Sequence, residues 1–399
     1  MTDTTRGDAI ATPAVAAVQS GAPARARSRE GYLFSPWFDF LCLGGGAVII
    51  CAIVTALLPQ GLPKPALGTL ILVLMTAINQ PHFAHSYQIF YANFRQKAFG
   101  EQYSRDLRLR YIFSGLVVPV LLIGFFVVAL ATSDARLLSF GANIMFFLVG
   151  WHYVKQGYGI LMVDAVQKKM FFTDQAKLLF RINGYACWLV AWVAINHAIA
   201  QAVPYLGLVY YTFDIPTLAY QIMCAVAAVT SLAVLWTLFT RWRELGHRLP
   251  WNGVVAYLTT LYLWVVFVRI NPLVIAIVPT FHSLQYLAVV WRYEINATRV
   301  QEAAGKRSWL DRAARVIPSR TWRNVGAFVL FGVLLGYLGF NGLPNALDKW
   351  LPYDKAVFGP AMFLFMFYIF INVHHYFLDN VMWRRGNPDV RNYLFAKPK

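Results

Sequence analysis

Ten runs of mostly apolar residues, each close to the length that crosses a bilayer, divide this chain and leave little room for any fold but a membrane-embedded helix bundle. A helix rises about 1.5 Å per residue, so roughly 20 residues cross about 30 Å of hydrocarbon. The runs fall at 38–58, 66–94, 112–132, 137–163, 183–203, 215–240, 252–268, 273–291, 324–342 and 357–380. Backbone polar groups in lipid must be satisfied within their own segment, so each run is read as a helix. The expected fold is all-α, a polytopic transmembrane bundle of about ten spans. Composition agrees: 58% of residues are hydrophobic, 13% are charged and the mean hydropathy is +0.51. A globular chain carries roughly twice that charge.

The 35 Lys and Arg produce a net charge of +17, and their placement decides what it means. Basic residues accumulate in the cytoplasmic loops of membrane proteins. With both termini inside, the N-terminal tail, the even-numbered connections and the C-terminus hold 29 of the 35. The odd-numbered connections hold only Lys64, Arg136, Arg269, Lys349 and Lys355, while Lys155 falls inside the fourth span. An error of one helix would scramble this alternation, so the expected topology is N-in, C-in. The charge is then explained by anionic membrane lipids, and no nucleic-acid partner is expected.

Residues 1–30 lack an apolar signal core and read as a disordered basic cytoplasmic tail. The transmembrane domain is expected over 31–385, and a cytoplasmic C-terminal tail over 386–399. Within the connection 292–323, the stretch Asn296–Val316 reads as an amphipathic cytoplasmic hairpin. The expected location is an integral one in a bacterial cytoplasmic membrane. Cys42, Cys51, Cys187 and Cys224 all lie in apolar segments without metal-binding spacing, and read as small buried hydrophobes.

The eight histidines carry the chemistry. His247 sits in a loop and His197 near the outer end of the fifth span. The other six are His82 and His85 on the second span, His152 on the fourth, His282 on the eighth, and His374 with His375 on the tenth. These four spans all descend toward the cytoplasm. Counting back from the first basic residue at about 1.5 Å per residue, His85 lies roughly 15 Å above Arg95 and His282 roughly 15 Å above Arg292. His375 lies roughly 13 Å above Arg384, and His152 is bounded more loosely at roughly 24 Å above Lys168. Most of the six thus share one layer in the inner half of the bilayer.

Spacing adds companions. His82 and His85 stand three residues apart, and His375 and Asp379 four apart, each pair on one helix face. Gln156 follows His152 by four and Gln285 follows His282 by three; such neighbours orient ligating imidazoles. The tetrapeptides beginning at His85 and His282 share the pattern H-S-x-Q, a hint of duplicated helix pairs. Pro81 is expected to kink the second span and free a carbonyl near the histidines, or to bend it for packing alone. Lys155, three residues past His152, is read as a partner for Asp379, as the holder of an acidic substrate head group, or as a side chain snorkelling to the interface. A single intramembrane histidine is often only a helix-to-helix hydrogen bonder worth about 1 kcal/mol. Six at one depth point instead to a site, because polar side chains in a bilayer are costly.

Imidazoles with carboxylate help suit iron, zinc or copper, and no Cys or Met cluster favours soft copper handling. The expected ligands are His82, His85, His152, His282, His374 and His375 around one or two ions, with Lys155, Asp379, Gln156 and Gln285 as catalytic candidates. Pro81-His82-x-x-His85, His152, His282 and His374-His375 on membrane helices resemble the integral-membrane histidine-motif non-haem iron enzymes. These are the desaturase and hydroxylase group and the bacteriorhodopsin-related carotene-cleaving proteins. The histidines here lie within apolar spans, where the desaturase boxes lie at helix ends. The resemblance implies an iron-dependent oxygenase, hydroxylase or desaturase acting on a lipid, isoprenoid or other hydrophobic molecule, with an electron-transfer partner on the cytoplasmic side. Two other readings stay open: a haem protein with two of these histidines as axial ligands, and a transporter relaying protons through the histidines, Lys155 and Asp379.

Overall fold

The computed structural model describes residues 31–58, 62–198, 203–205, 208–210, 212–271, 273–305 and 319–395. The tail expected over 1–30 lies outside them, as do residues 306–318 of the long connection. Among the described residues, nine helices are long and apolar enough to cross a membrane. They are α1 (Pro36–Leu57), α2 (Pro65–Tyr91), α3 (Arg105–Ala131), α4 (Ala135–Gln167), α5 (Asp174–His197), α6 (Thr217–Glu244), α7 (Trp251–Ile270), α9 (Arg320–Trp350) and α10 (Met362–Met382). Between α7 and α9 runs α8 (Leu273–Ala303), where the eighth span is expected. The protein is an all-α membrane bundle. One short antiparallel pair, β1 (Val203–Tyr205) with β2 (Leu208–Tyr210), lies between α5 and α6, Val203 opposite Tyr210.

Polar side chains start the rods. Ser35 accepts from the Phe38 amide, Ser104 from Leu107, and Asp134 from Arg136 and Leu137, satisfying donors that a helix start leaves open. In the most apolar windows, 61% of α10 and 50% of α4 are enclosed against 17% of α6, so α10 and α4 form the centre and α6 faces outward. Helices α2 and α8 pack around that centre, with α7 against α4 and α9 against α2.

The loops sort into two sides as the basic-residue pattern requires. On the basic side, Arg241 donates to the Phe171 carbonyl, Asn252 to the Pro36 carbonyl, and Asn296 to the Tyr393 carbonyl. On the other side, Asn271 donates to the Leu58 carbonyl and Phe213 N to Asn196. Two segments differ from expectation. Helix α8 runs unbroken to Ala303, carrying the start of the 292–323 connection as helix, because Tyr293, Ile295 and Ala297 are buried and hold it against the protein. Residues 386–395, expected as a tail, fold back: Asn387 donates to the Tyr111 hydroxyl, and Val390 and Leu394 are buried.

Lys97, in the short helix Phe94–Phe99, ties that segment down. Its ammonium is buried, donates to the Ile89 carbonyl at 2.6 Å and faces Asp389 at 3.8 Å, and Tyr103 also donates to Asp389. Burial outweighs the attraction of Asp389 and pulls Lys97 down to about 8. Its folded value is therefore below its unfolded one, so the folded state sheds the proton first and stability rises with pH from about 8 toward about 10. Tyr103, pushed up by burial and Asp389, opposes only at higher pH. Thermal unfolding in detergent should show a midpoint that climbs across that window, and Lys97→Met should flatten the climb.

Four spans carry a π turn: Met75–Asn79 in α2, Phe113–Val117 in α3, Leu263–Phe267 in α7 and Leu338–Gly342 in α9, while α1 is kinked within Leu41–Gly45, where Gly44 leaves the helical conformation. Such turns loosen the regular carbonyl-to-amide ladder and gather at functional sites.

Candidate metal centre

Four of the six intramembrane histidines converge. His82 Nε2 stands 3.0 Å from His375 Nε2, and His375 Nε2 stands 3.2 Å from His152 Nε2. The ring of His282 closes the group, 5.3 Å from His82 and 4.9 Å from His152 between centroids. Asp379, one turn past His375 on α10, aims Oδ2 at the same point, 3.5 Å from His375 Nε2 and 3.8 Å from His152 Nε2. Ligand atoms of His82, His152 and His282 lie within 4.8 Å of one another, and so do those of His152, His375 and Asp379. The two groups share His152. Each of the five residues is buried.

This packing asks for a cation. A neutral imidazole has one N–H, so each pair of these rings can share one proton as donor and acceptor, or, with both nitrogens bare, can turn two lone pairs toward an ion. A carboxylate buried at membrane depth is also costly unless a positive charge answers it. Metal–nitrogen bonds of about 2.0–2.1 Å put neighbouring ligand atoms roughly 3.0 Å apart in an octahedron and roughly 3.3 Å in a tetrahedron. The 3.0 and 3.2 Å separations match that spacing as well as that of a hydrogen bond between imidazoles. Both nitrogens of His282 and Nδ1 of His375 are buried without a hydrogen-bond partner, which leaves His282 free to ligate.

The surrounding groups fix these rings. His82 Nδ1 meets the Asn79 carbonyl and the Ser283 hydroxyl, both at 3.2 Å, which directs Nε2 inward. Ser283 in turn donates to Asn79 Oδ1 at 2.6 Å. Asp379 Oδ1 accepts from Ser86 at 3.0 Å and from Tyr286 at 3.1 Å, which leaves Oδ2 for the centre. Tyr153 stacks on His282 with centroids 3.7 Å apart, and Tyr376 stacks on His152 at 4.8 Å. Gln156 donates to the His282 carbonyl at 2.9 Å and to Gln285 Oε1 at 3.2 Å. Gln285 in turn donates to the Leu43 carbonyl. The glutamines brace α8 against α4 and α1, and their amide groups bond neither to the Asp379 carboxylate nor to a clustered ring nitrogen.

The π turns contribute here directly. Asn79 ends the turn in α2 and lends its carbonyl to His82; Ser114 lies in the turn of α3 and takes His374 Nε2 at 2.9 Å; and Leu43, beside the kink at Gly44 in α1, takes Gln285. The carbonyl beside His82 is that of Asn79, whereas Pro81 removes the backbone donor that would face Ala77, four residues earlier, so the contact is not the one expected from the proline. Beside His282, a void with room for about one water molecule is lined by Thr259, Thr260, Trp264, Phe281 and Gln285.

Of the six histidines expected as ligands, the structure brings four together and places His85 and His374 outside the cluster. His85 is rotated toward α9, stacked on Phe328 at 4.2 Å with Nδ1 on Gln88 at 2.6 Å. Gly332 lets it lie there, since a Cβ at that position would stand 2.3 Å from the ring. His374 is turned about 100° from His375 around α10, as adjacent helical residues are; its nitrogens go to Ser114 and to the Tyr87 hydroxyl. Lys155 does not meet Asp379; its ammonium donates to Asn380 Oδ1 at 2.6 Å and sits over the Trp151 ring. His197 and His247 stand apart, as expected, beside the Ile215 carbonyl and Trp242.

Ser86, Asn79, Ser283 and Tyr286 were not singled out from the chain, although Ser86 and Ser283 are the serines of the two H-S-x-Q repeats. Only their helix partners give them meaning. Ser86→Ala should weaken metal retention by about 10- to 100-fold in a chelator competition, because Asp379 then loses one of two donors that hold it. Unchanged retention would mean that Asp379 is positioned by something else. Comparison with protein-family profiles, with curated proteins and with solved structures finds no match for this chain.

Proposed function

We propose that this chain is a membrane metalloenzyme in which His82, His152, His282, His375 and Asp379 hold one or two metal ions, with iron the preferred metal, for the oxidation of a hydrophobic substrate. The observation that carries the reading is the meeting of four imidazoles and one carboxylate, from three helices plus α4, at the spacing of ligand atoms around an ion. Nitrogen-rich sites with carboxylate help suit iron and zinc, and iron would supply the one-electron chemistry that dioxygen activation needs.

The protein's own part is positioning and exclusion of water. Asn79 and Ser283 hold His82 in one tautomer, Ser86 and Tyr286 hold Asp379, and Tyr153 and Tyr376 pin His282 and His152 by stacking. Enclosure within lipid-embedded helices keeps bulk water from a reactive centre and gives an apolar substrate a route from the bilayer. Reducing equivalents would arrive on the basic side, the nearer face. Oxygenase, hydroxylase and desaturase chemistry all fit this arrangement. A haem sandwiched between His82 and His375 does not fit, since two axial nitrogens would stand about 4 Å apart and these stand at 3.0 Å.

Elemental analysis of detergent-purified protein together with its visible spectrum tests the reading. One or two equivalents of iron without a Soret band is the expected result. Protein that stays metal-free after incubation with ferrous iron and with zinc would end the metalloenzyme reading, and a Soret band would replace it with a haem protein.

A further inference from the structure

Lys155 is the one basic residue whose charge falls inside an expected span, and its surroundings are cationic. It is exposed on the flank of α4, its ammonium on Asn380 and against the Trp151 face at 4.5 Å. Arg384 follows Asn380 by one turn just past the end of α10, and Arg110 on α3 adjoins Tyr111, whose hydroxyl accepts from Asn387 three residues after Arg384; the charges of both act on Lys155. Among the described residues, no carboxylate lies within ion-pairing distance of Lys155 or Arg384, while Arg110 pairs with the exposed Asp106 at 2.9 Å. Three cations and one anion therefore share one patch where the helices leave the bilayer on the basic side.

Like charges held together in this way repel one another unless an anion joins them, and each Lys or Arg near a membrane surface attracts an anionic lipid by about 1 kcal/mol. A tryptophan face behind the ammonium and an asparagine beside it leave the remaining ammonium donors to be satisfied from the lipid side. We infer that Lys155, Arg384 and Arg110 bind the anionic head group, a carboxylate or phosphate, of an acyl amphiphile at the basic-side interface. The same two helices carry the metal-site residues nearer the midplane, His152 three residues before Lys155 and Asp379 five residues before Arg384. A chain hanging from this head group would run upward beside α4 and α10 at the level of the cluster. On the metalloenzyme reading, the substrate is then an anionic amphiphile, oxidised toward the head-group end of its chain.

The test uses the full-length protein in phosphatidylcholine nanodiscs with trace spin-labelled stearate, phosphatidylglycerol or phosphatidylcholine, reading the protein-associated fraction by electron paramagnetic resonance. Anionic probes should be enriched over phosphatidylcholine. Lys155→Gln and Arg384→Gln should each cut that enrichment about fivefold, the equivalent of about 1 kcal/mol, whereas Lys349→Gln on the opposite side should leave it unchanged. Equal association of all three probes, or enrichment that survives both substitutions, overturns the head-group site. Stearate preferred over phosphatidylglycerol supports a carboxylate substrate; the reverse order overturns the substrate assignment and leaves a bilayer lipid as occupant. Metal content measured on the same preparations separates the two readings, because it should not change in these variants. Loss of metal from the unsubstituted protein would defeat the enzyme reading without touching the lipid result.

Discussion

Substituting His375 by alanine should strip the purified protein of its metal, and His82→Ala, His152→Ala and His282→Ala should come close to it, while His85→Ala and His374→Ala should leave metal content intact. His375 Nε2 is the hub: it lies 3.0 Å from His82, 3.2 Å from His152 and 3.5 Å from the Asp379 carboxylate. On the metalloenzyme reading, removing it takes away a proposed ligand and the contact that holds two others, so the loss in affinity should exceed the roughly 10- to 100-fold that an outer-shell partner is worth. His85 and His374 are as deep in the protein and as polar, which makes them the internal control. Their loss costs packing against Phe328 and a bond to Ser114, and so some stability, but no ligand. Metal quantified per protein across the six variants is the measurement. If His85→Ala and His374→Ala lose metal to the same extent as His375→Ala, the distinction drawn from the geometry fails.

Asp379→Asn should have the second largest effect, with opposite signs in the two metal states. With metal bound, the carboxylate supplies charge that neutral imidazoles cannot, and an amide of the same shape turns an N–H toward the ligands in one of its two orientations. Affinity should fall at least as far as for Ser86→Ala. Without metal, the wild-type protein must keep a carboxyl group among four imidazoles in a dry layer, a burden of several kcal/mol if it stays charged. The amide removes that burden and keeps an oxygen for Ser86 and Tyr286. Chelator-treated Asp379→Asn protein should therefore melt no lower than chelator-treated wild type, while metal-loaded wild type melts well above metal-treated Asp379→Asn. Melting curves of both proteins in both states decide it; an amide variant that melts low in both would make Asp379 an ordinary structural residue.

Depth was readable from the chain because a first basic residue follows the apolar part of each of α2, α8 and α10: Arg95, Arg292 and Arg384. The count put His85, His282 and His375 in one layer, and the structure packs His282 and His375 together around His152. His152 was the exception, since Lys168 lies several residues beyond the interface at the end of the 33-residue α4. Its contact with His375 sets its level instead. Rotation about each helix was less readable. The i,i+3 spacing of His82 and His85 leaves them about 60° apart around the axis, enough for one ring to face α10 and the other to face α9. Adjacent His374 and His375 differ by about 100°, and nothing local says which of them points inward.

What the amino-acid sequence determined by itself is the helical membrane bundle, its two sides and the layer in which the histidines lie, because hydrophobic length and the distribution of charge are one-dimensional properties. Only the tertiary structure decided which four imidazoles meet, that Asp379 joins them while Lys155 does not, and that Asn79, Ser86, Ser283 and Tyr286 orient them. Those choices depend on how each rod is turned against its neighbours. That rotation is set by packing, by Gly332 admitting the His85 ring, and by side-chain bonds to the carbonyls of Leu43, Asn79 and Ser114 in irregular turns of their helices.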